Sequence, residues 1–339
     1  EGGLPDAALL EINTALQLDP VSSDTYVDRS QIYSILQQTD LALEDAEMAL
    51  SLEPESAAGL AARGGIFLQI GDAQSALSDL DLALASDPTL DSAYIDRGQA
   101  RMVIGDFQGA LSDIQTASEL LHDHPRIPSI VSKAAYAQVL KGQAIKNLGD
   151  TTEATQQVEQ GLLIGWRTEW AGDALELLAD LYESPSSLQD LSKYESLVSD
   201  RPENASAYFM RGSALLNQRK YLQAEADFTT AIQIGLGFPQ VYLSRALARD
   251  AIGSPYWETR SDFIFATDHN PNHSGYWAFL GNFYHGRGYF EAALLSLNRS
   301  IELNASNSQA YRWRSQVRMN LGKHDLAKDD LATAKNLER

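Results

Sequence analysis

The amino-acid sequence predicts an all-α solenoid of about nine helix–turn–helix repeats. Three observations predict it: similar segments recur along the 339 residues, each contains two helical apolar patterns, and glycine or proline stands where each pattern stops. The units begin near residues 23, 57, 91, 135, 169, 205, 239, 274 and 308, and five of the eight steps are 34 residues. Such a period is typical of solenoids, in which each unit buries its apolar face against the next.

The sequence pattern of each unit predicts two helices, and particular residues mark where each helix ends. The first helix ends at a glycine near the fifteenth position, such as Gly71 or Gly105, because glycine tolerates a left-handed backbone. The second helix carries alanines and apolar residues at helical spacing and often stops at a proline, whose fixed φ and missing N–H block continuation. The prolines at such stops are Pro20, Pro54, Pro88, Pro202 and Pro271.

Small residues at the eighth and twentieth positions let the two helices approach closely. The pairs are Gly64 with Ala76, Gly98 with Ala110, and Gly212 with Ala224. This pattern resembles the tetratricopeptide repeat (TPR) family, whose unit is a 34-residue helix–turn–helix. The resemblance implies a right-handed superhelix with the first helix of each repeat lining the concave face.

The repeat pattern also predicts a domain organisation, with two departures from regularity. The expected order is an orphan second helix of a partial repeat at 1–22, three regular repeats at 23–124, an insertion at 125–134, two divergent repeats at 135–204 and four repeats at 205–339. The unit at 169–204 lacks the small-residue signature, which leaves its register open.

A charged pair recurs between the two helices of a unit. Arginine at the seventh position accompanies aspartate in the second helix in six units: Arg29 with Asp45, Arg63 with Asp79, Arg97 with Asp113, Arg211 with Asp227, Arg245 with Asp262, and Arg314 with Asp330. Where the arginine becomes Leu280, the aspartate becomes Ser296. A stranded buried charge costs more than a pair contributes, so joint loss predicts a structural contact rather than six catalytic dyads.

The ninth position of each unit supplies the candidate binding residues. If the first helices line the concave face as in the family, this position points inward. It carries the candidate residues Gln31, Gln99, Gln143, Ser213, Asn282 and Gln316, and also Gly65 and Leu247. Amides donate and accept hydrogen bonds, so a row of them suits the backbone of an extended peptide. The alternative is that inward, solvated positions simply tolerate polar residues.

The two ends of the chain carry opposite charge. Residues 1–56 contain one arginine and twelve acidic residues, whereas residues 308–339 contain seven lysines and arginines and four acidic residues. Complementary ends favour head-to-tail assembly of copies into a filament, tube or ring. The candidate contact residues at the basic end are Arg314, Arg318, Lys323 and Lys328. Two alternatives are that terminal caps were removed from a longer chain, or that the charge only keeps the ends soluble.

Composition excludes several other functions. A net charge of −20 opposes binding to nucleic acid, and no apolar stretch is long enough to cross a membrane, which predicts a soluble chain. The absence of cysteine excludes disulfides and thiolate sites and is compatible with an extracytoplasmic setting, although the compartment stays open. No catalytic, metal-binding or cofactor-binding constellation is present, so no cofactor is predicted.

The sequence therefore favours a non-enzymatic scaffold whose concave, amide-lined groove binds a protein or peptide. Two alternatives stay open: a solenoid that assembles head to tail with copies of itself, and the repeat arm of a larger enzyme or regulatory chain.

Overall fold

A computed structural model describes residues 3–122, 128–168, 170–182 and 191–338, which form 19 helices and no strand. The prediction of an all-α fold of about nine paired-helix repeats is confirmed. The chain divides into two compact units, residues 1–165 and 166–339.

The first unit contains four helix pairs and one additional helix. Its helices are α1 (Gly3–Leu18), α2 (Ser23–Ile35), α3 (Thr39–Leu52), α4 (Ala57–Gln69), α5 (Ala73–Ser86), α6 (Asp91–Ile104), α7 (Phe107–His122), α8 (Pro128–Leu148) and α9 (Thr151–Gly165). Repeats one to four are the pairs from α2–α3 to α8–α9, and α1 packs on α2. Of the expected insertion at 125–134, residues 125–127 lie outside the described part, and α8 begins at Pro128.

The second unit contains ten helices. They are α10 (Ala171–Tyr182), α11 (Leu191–Asp200), α12 (Ala205–Asn217), α13 (Tyr221–Ile234), α14 (Pro239–Ile252), α15 (Tyr256–His269), α16 (Ser274–Gly286), α17 (Phe290–Leu303), α18 (Ser308–Asn320) and α19 (His324–Leu337). Repeats six to nine are the pairs from α12–α13 to α18–α19. In the divergent fifth unit, α11 packs on α12, while α10 contacts α12 and α14.

Helix starts and ends follow the local sequence. Ser22 and Ser56 accept hydrogen bonds from backbone N–H groups in the first turns of α2 and α4, which satisfies donors that a helix leaves unpaired. Gly105 ends α6 with a φ of 85°, as the sequence predicts. Gln37 and Arg219 adopt the same left-handed backbone without being glycine. The left-handed turn is therefore kept even where glutamine or arginine stands in place of the preferred glycine.

The small residue at the eighth position is required by close helix packing. A Cβ added at Gly142 would lie 2.6 Å from Val158 Cγ2 and 2.9 Å from the backbone oxygen of Ala154. A backbone atom of the facing helix cannot move aside without displacing the helix. The first and second helices of a repeat therefore approach too closely for a side chain here.

Replacing Gly142 with alanine should lower the free energy of unfolding by about 1–3 kcal/mol, because the added methyl overpacks the contact between α8 and α9. Chemical denaturation followed by circular dichroism measures the change. Gly286→Ala is the control, because a Cβ there meets nothing within 4 Å. The control should change stability by no more than about 0.5 kcal/mol, and equal losses in both variants would contradict the packing argument.

Candidate functional site

The structure places all six arginine–aspartate pairs in contact between the two helices of a repeat. In each pair the arginine Nε and Nη2 donate to the two carboxylate oxygens at 2.6–3.0 Å. The aspartates are buried, with at most 5% of each residue exposed. The hydrogen bond to Asp45 raises the pKa of the Arg29 guanidinium, and Arg63, Arg97 and Arg211 behave alike.

Four of the six arginines also donate to the preceding helix, a contact that the sequence pattern did not predict. Arg97 Nη1 donates to Asp81 at 2.7 Å, and Arg314 Nη1 donates to Asn298 at 2.8 Å. Arg29 reaches Asn13 of α1 at 2.8 Å in the same way. The residue sixteen positions before the arginine is polar in all six repeats: Asn13, Glu47, Asp81, Glu195, Thr229 and Asn298. Where this contact forms, the guanidinium links its repeat to the preceding helix and also links the two helices of its own repeat.

Three of the aspartates bind a second arginine that sequence reasoning missed. Arg101 donates to Asp113 at 2.7 Å, and Arg249 donates to Asp262 at 2.9 Å. Arg318 lies 2.7 Å from Asp330. The signal was an arginine four residues after the first one, since residues four apart share a helix face. These pairs hold the fold together, so the candidate binding surface lies elsewhere.

A groove of about 490 Å³ in the first unit contains part of the predicted amide row. It is lined by residues of α2, α4, α6 and α8, including Gln31, Gln69 and Gln99. Gln99 Nε2 donates to the Tyr136 hydroxyl at 3.0 Å. Gln143 is exposed on α8 and does not line this groove.

One carboxylate, Asp96, stands among these amides. It lies on α6 opposite Gly65, where a Cβ would come within 3.2 Å of Asp96 Oδ2. Gly65 occupies the ninth position of its repeat, where Gln31 and Gln99 stand in the neighbouring repeats, so the missing side chain makes room for the carboxylate. Burial raises the pKa of Asp96 to about 7, against the opposing charge of Lys133.

In the second unit, the predicted amide row is not brought together. Ser213 is buried, Asn282 is half-buried, and Gln316 is exposed at a separate pocket on α18 and α19. Ser213 lies on α12, which α10 contacts. The ninth positions of this unit therefore do not form a continuous polar surface.

The helix α10 lies across the first helices of repeats six and seven and reaches the eighth repeat. Leu175, Leu178 and Leu181 have at most 1% of their surface exposed. Glu176 Oε1 accepts hydrogen bonds from the Tyr276 hydroxyl at 2.6 Å and from Asn270 Nδ2 at 3.0 Å. Burial and the bond to Glu176 raise the pKa of Tyr276. An apolar face and a buried polar contact thus fix α10 on this surface.

The four candidate residues for head-to-tail assembly divide into two groups. Arg314 and Arg318 both bind Asp330 and are mostly buried. Lys323 and Lys328 are exposed, and Lys328 lies 3.6 Å from the exposed Asp325. Head-to-tail assembly stays a prediction, and only the two lysines can be altered to test it without breaking a repeat.

No group of three histidine or acidic side chains within the described ranges could hold a metal ion. None of the 19 helices combines the length and the apolar character needed to cross a membrane.

Family models described as tetratricopeptide repeat match residues 27–91, 191–235 and 274–307. The fold and these matches define a repeat protein of a class that typically mediates protein–protein interaction and is usually non-catalytic. The chain therefore contains tetratricopeptide repeats in these three segments. No curated protein matches the chain by sequence.

Several solved structures are similar to the chain. PilF of Pseudomonas aeruginosa is 14% identical with a TM-score of 0.47, over 74% of this chain and 92% of PilF. Yeast Tom70 is 14% identical with a TM-score of 0.41, over 99% of this chain and 89% of Tom70. A tetratricopeptide repeat protein of Parabacteroides merdae ATCC 43184 is 17% identical with a TM-score of 0.46, over 84% and 93% of the two chains.

Proposed function

We propose that the chain is a non-enzymatic scaffold that binds an extended peptide segment of another protein in the groove of its first unit. The main support for the proposal is the groove of about 490 Å³, into which the first helices of three successive repeats place amide side chains. Gln31 makes no hydrogen bond to the described residues, so both its donor and its acceptor are available. Amides of this kind pair with a peptide backbone, which any sequence provides.

In the second unit, a helix rather than an open groove lies on the first helices of repeats six and seven. There α10 covers parts of α12 and α14 with leucines that are almost fully buried. A peptide would have to displace α10 and expose those leucines to water, at a cost of about 1.5–3 kcal/mol for each side chain. Binding in the first unit requires no such displacement.

A displayed library of random peptides about twelve residues long tests the proposal, with the full chain as bait. Peptides that bind the wild-type chain should lose at least about tenfold in affinity for the double variant Gln31→Ala, Gln99→Ala, because two amide contacts are removed. Gln108→Ala is the matched control, since Gln108 is exposed on the second helix α7. Peptides that bind the double variant as tightly as the wild type would exclude this groove as the binding site.

A further inference from the structure

Asp96 is the one acidic side chain among the residues that line the groove, and it has no hydrogen-bond partner among the described residues. Asp96 is half-buried in the groove. A carboxylate partly withdrawn from water without a partner is costly, and a protein usually pairs or neutralises such a group. Its neighbours from α2 and α4 are hydroxyl, amide and apolar groups, including Ser34 and Gln69, which bind each other at 2.6 Å. None of these neighbours carries a charge.

Two charged groups lie near Asp96. Asp91 is on the same helix, and Lys133 is on α8, where its Nζ lies 3.6 Å from Asp91 Oδ2. The lysine is about half exposed. Lys133 is thus directed to Asp91 at the edge of the groove, and the carboxylate of Asp96 faces the groove without a direct ion pair.

We propose that Asp96 binds the cationic side chain of a lysine or arginine in the peptide that occupies the groove, an inference that rests on the function proposed above. The basic side chain supplies the opposite charge and the N–H donors that Asp96 lacks. The amides on either side hold the peptide backbone, so one basic residue is specified within an otherwise sequence-tolerant segment.

The first repeat contains a natural comparison for Asp96. Asp28 occupies the same sixth position of its repeat, but it is exposed and does not line the groove. Asp28 differs because only the single helix α1 precedes its repeat. Beside Asp96, in contrast, lies α4, the first helix of the preceding repeat, which supplies Gly65. The groove depends on this neighbouring helix, so Asp28→Asn provides a matched control.

The proposal predicts a pH dependence of binding. The pKa of Asp96 is raised to about 7 by burial, while Asp91 raises it further and Lys133 opposes the shift. A peptide cation binds the ionised carboxylate, so affinity should rise about tenfold between about pH 6 and about pH 8 and then level off. A peptide with an acetylated N-terminus and no histidine adds no titrating group of its own in this range, and no histidine is among the residues that line the groove.

The Asp96→Asn variant is expected to fold. In the unfolded chain an aspartate is ionised above about pH 4, whereas burial favours the protonated form of Asp96 in the folded chain. The folded state then binds more protons between these two pKa values, so this group lowers stability as pH rises through that window. Asparagine removes the charge and with it this loss.

The experiment repeats the peptide selection on the wild type, Asp96→Asn and Asp28→Asn. The wild type and Asp28→Asn should select peptides that share a lysine or arginine, and this enrichment should vanish with Asp96→Asn. A selected peptide should bind Asp96→Asn at least about tenfold more weakly than wild type at about pH 8, with no rise in affinity from about pH 6.

The outcomes separate the two proposals. Peptides that require Gln31 and Gln99 but show no basic residue, or bind Asp96→Asn and wild type alike, would overturn the role of Asp96 and leave the groove intact. A flat pH profile of the wild type would do the same. Peptides whose affinity does not depend on Gln31 and Gln99 would overturn the proposed function and this inference with it.

Discussion

Replacing Asp262 with alanine should lower the free energy of unfolding by about 3–5 kcal/mol. The carboxylate is 2% exposed and accepts from Arg245 at 2.7 and 2.9 Å and from Arg249 at 2.9 Å. Its removal leaves two mostly buried guanidinium groups with the same charge and no shared counter-charge. Breaking a buried ion pair from one side is costly for this reason.

Asp227→Ala provides the comparison, because Asp227 binds the single arginine Arg211 and lies in the same unit. We expect a loss of about 1–3 kcal/mol there. Chemical denaturation of each variant, with hydrogen exchange of α14 and α15 as a local probe, distinguishes a repeat that opens from a whole unit that unfolds. Equal losses in the two variants would show that the second arginine contributes nothing.

Repeat eight suggests how the loss at Asp262 can be reversed. Leu280 and Ser296 replace the charged pair there, and the Ser296 hydroxyl donates within its own helix at 3.0 Å. Introducing Arg245→Leu together with Asp262→Ser should therefore recover part of the stability that Asp262→Ala loses. The recovery should be incomplete, because Arg249 keeps Glu225 but loses Asp262.

Most of the repeat architecture follows from short-range signals in the sequence. Small residues such as Gly142 indicate a close contact between two helices that are near in sequence, and the arginine and aspartate of a repeat recur sixteen or seventeen residues apart. Such signals repeat many times, so one chain contains its own comparison. The polar residue sixteen positions before each arginine also recurs along the chain, as does the second arginine four positions after three of them. Both contacts could have been predicted from this recurrence.

The rest depends on contacts that no local pattern contains. Glu176 binds Tyr276, one hundred residues away, and this contact places α10 on α14 and the eighth repeat rather than in a regular fifth repeat. Asp28 and Asp96 are alike in sequence position, and only the helix beside Asp96 makes it part of a groove. Burial by neighbouring repeats decides which residues can bind a partner, and the repeat pattern does not predict this burial.

Replacing Leu178 with alanine should detach or loosen α10, at a cost of about 2–5 kcal/mol. The side chain has no exposed surface, so truncation leaves a cavity between α10 and the helices beneath it. α10 is held by this apolar face, by the hydrogen bonds to Glu176 and by the hydrogen bonds of Tyr182 with Tyr194 of α11 and Asn217 of α12. The amides of residues 171–182 should therefore exchange much faster with solvent in the variant.

Leu177→Ala is the matched control, because Leu177 is the adjacent residue on α10 and is only half-buried. Its truncation removes less apolar contact, so the loss should stay below that of Leu178→Ala by at least about 1 kcal/mol. Hydrogen exchange resolved by residue, together with denaturation, measures both effects. If α10 kept its protection in Leu178→Ala, the argument that the packing of Leu178 holds the helix would be wrong.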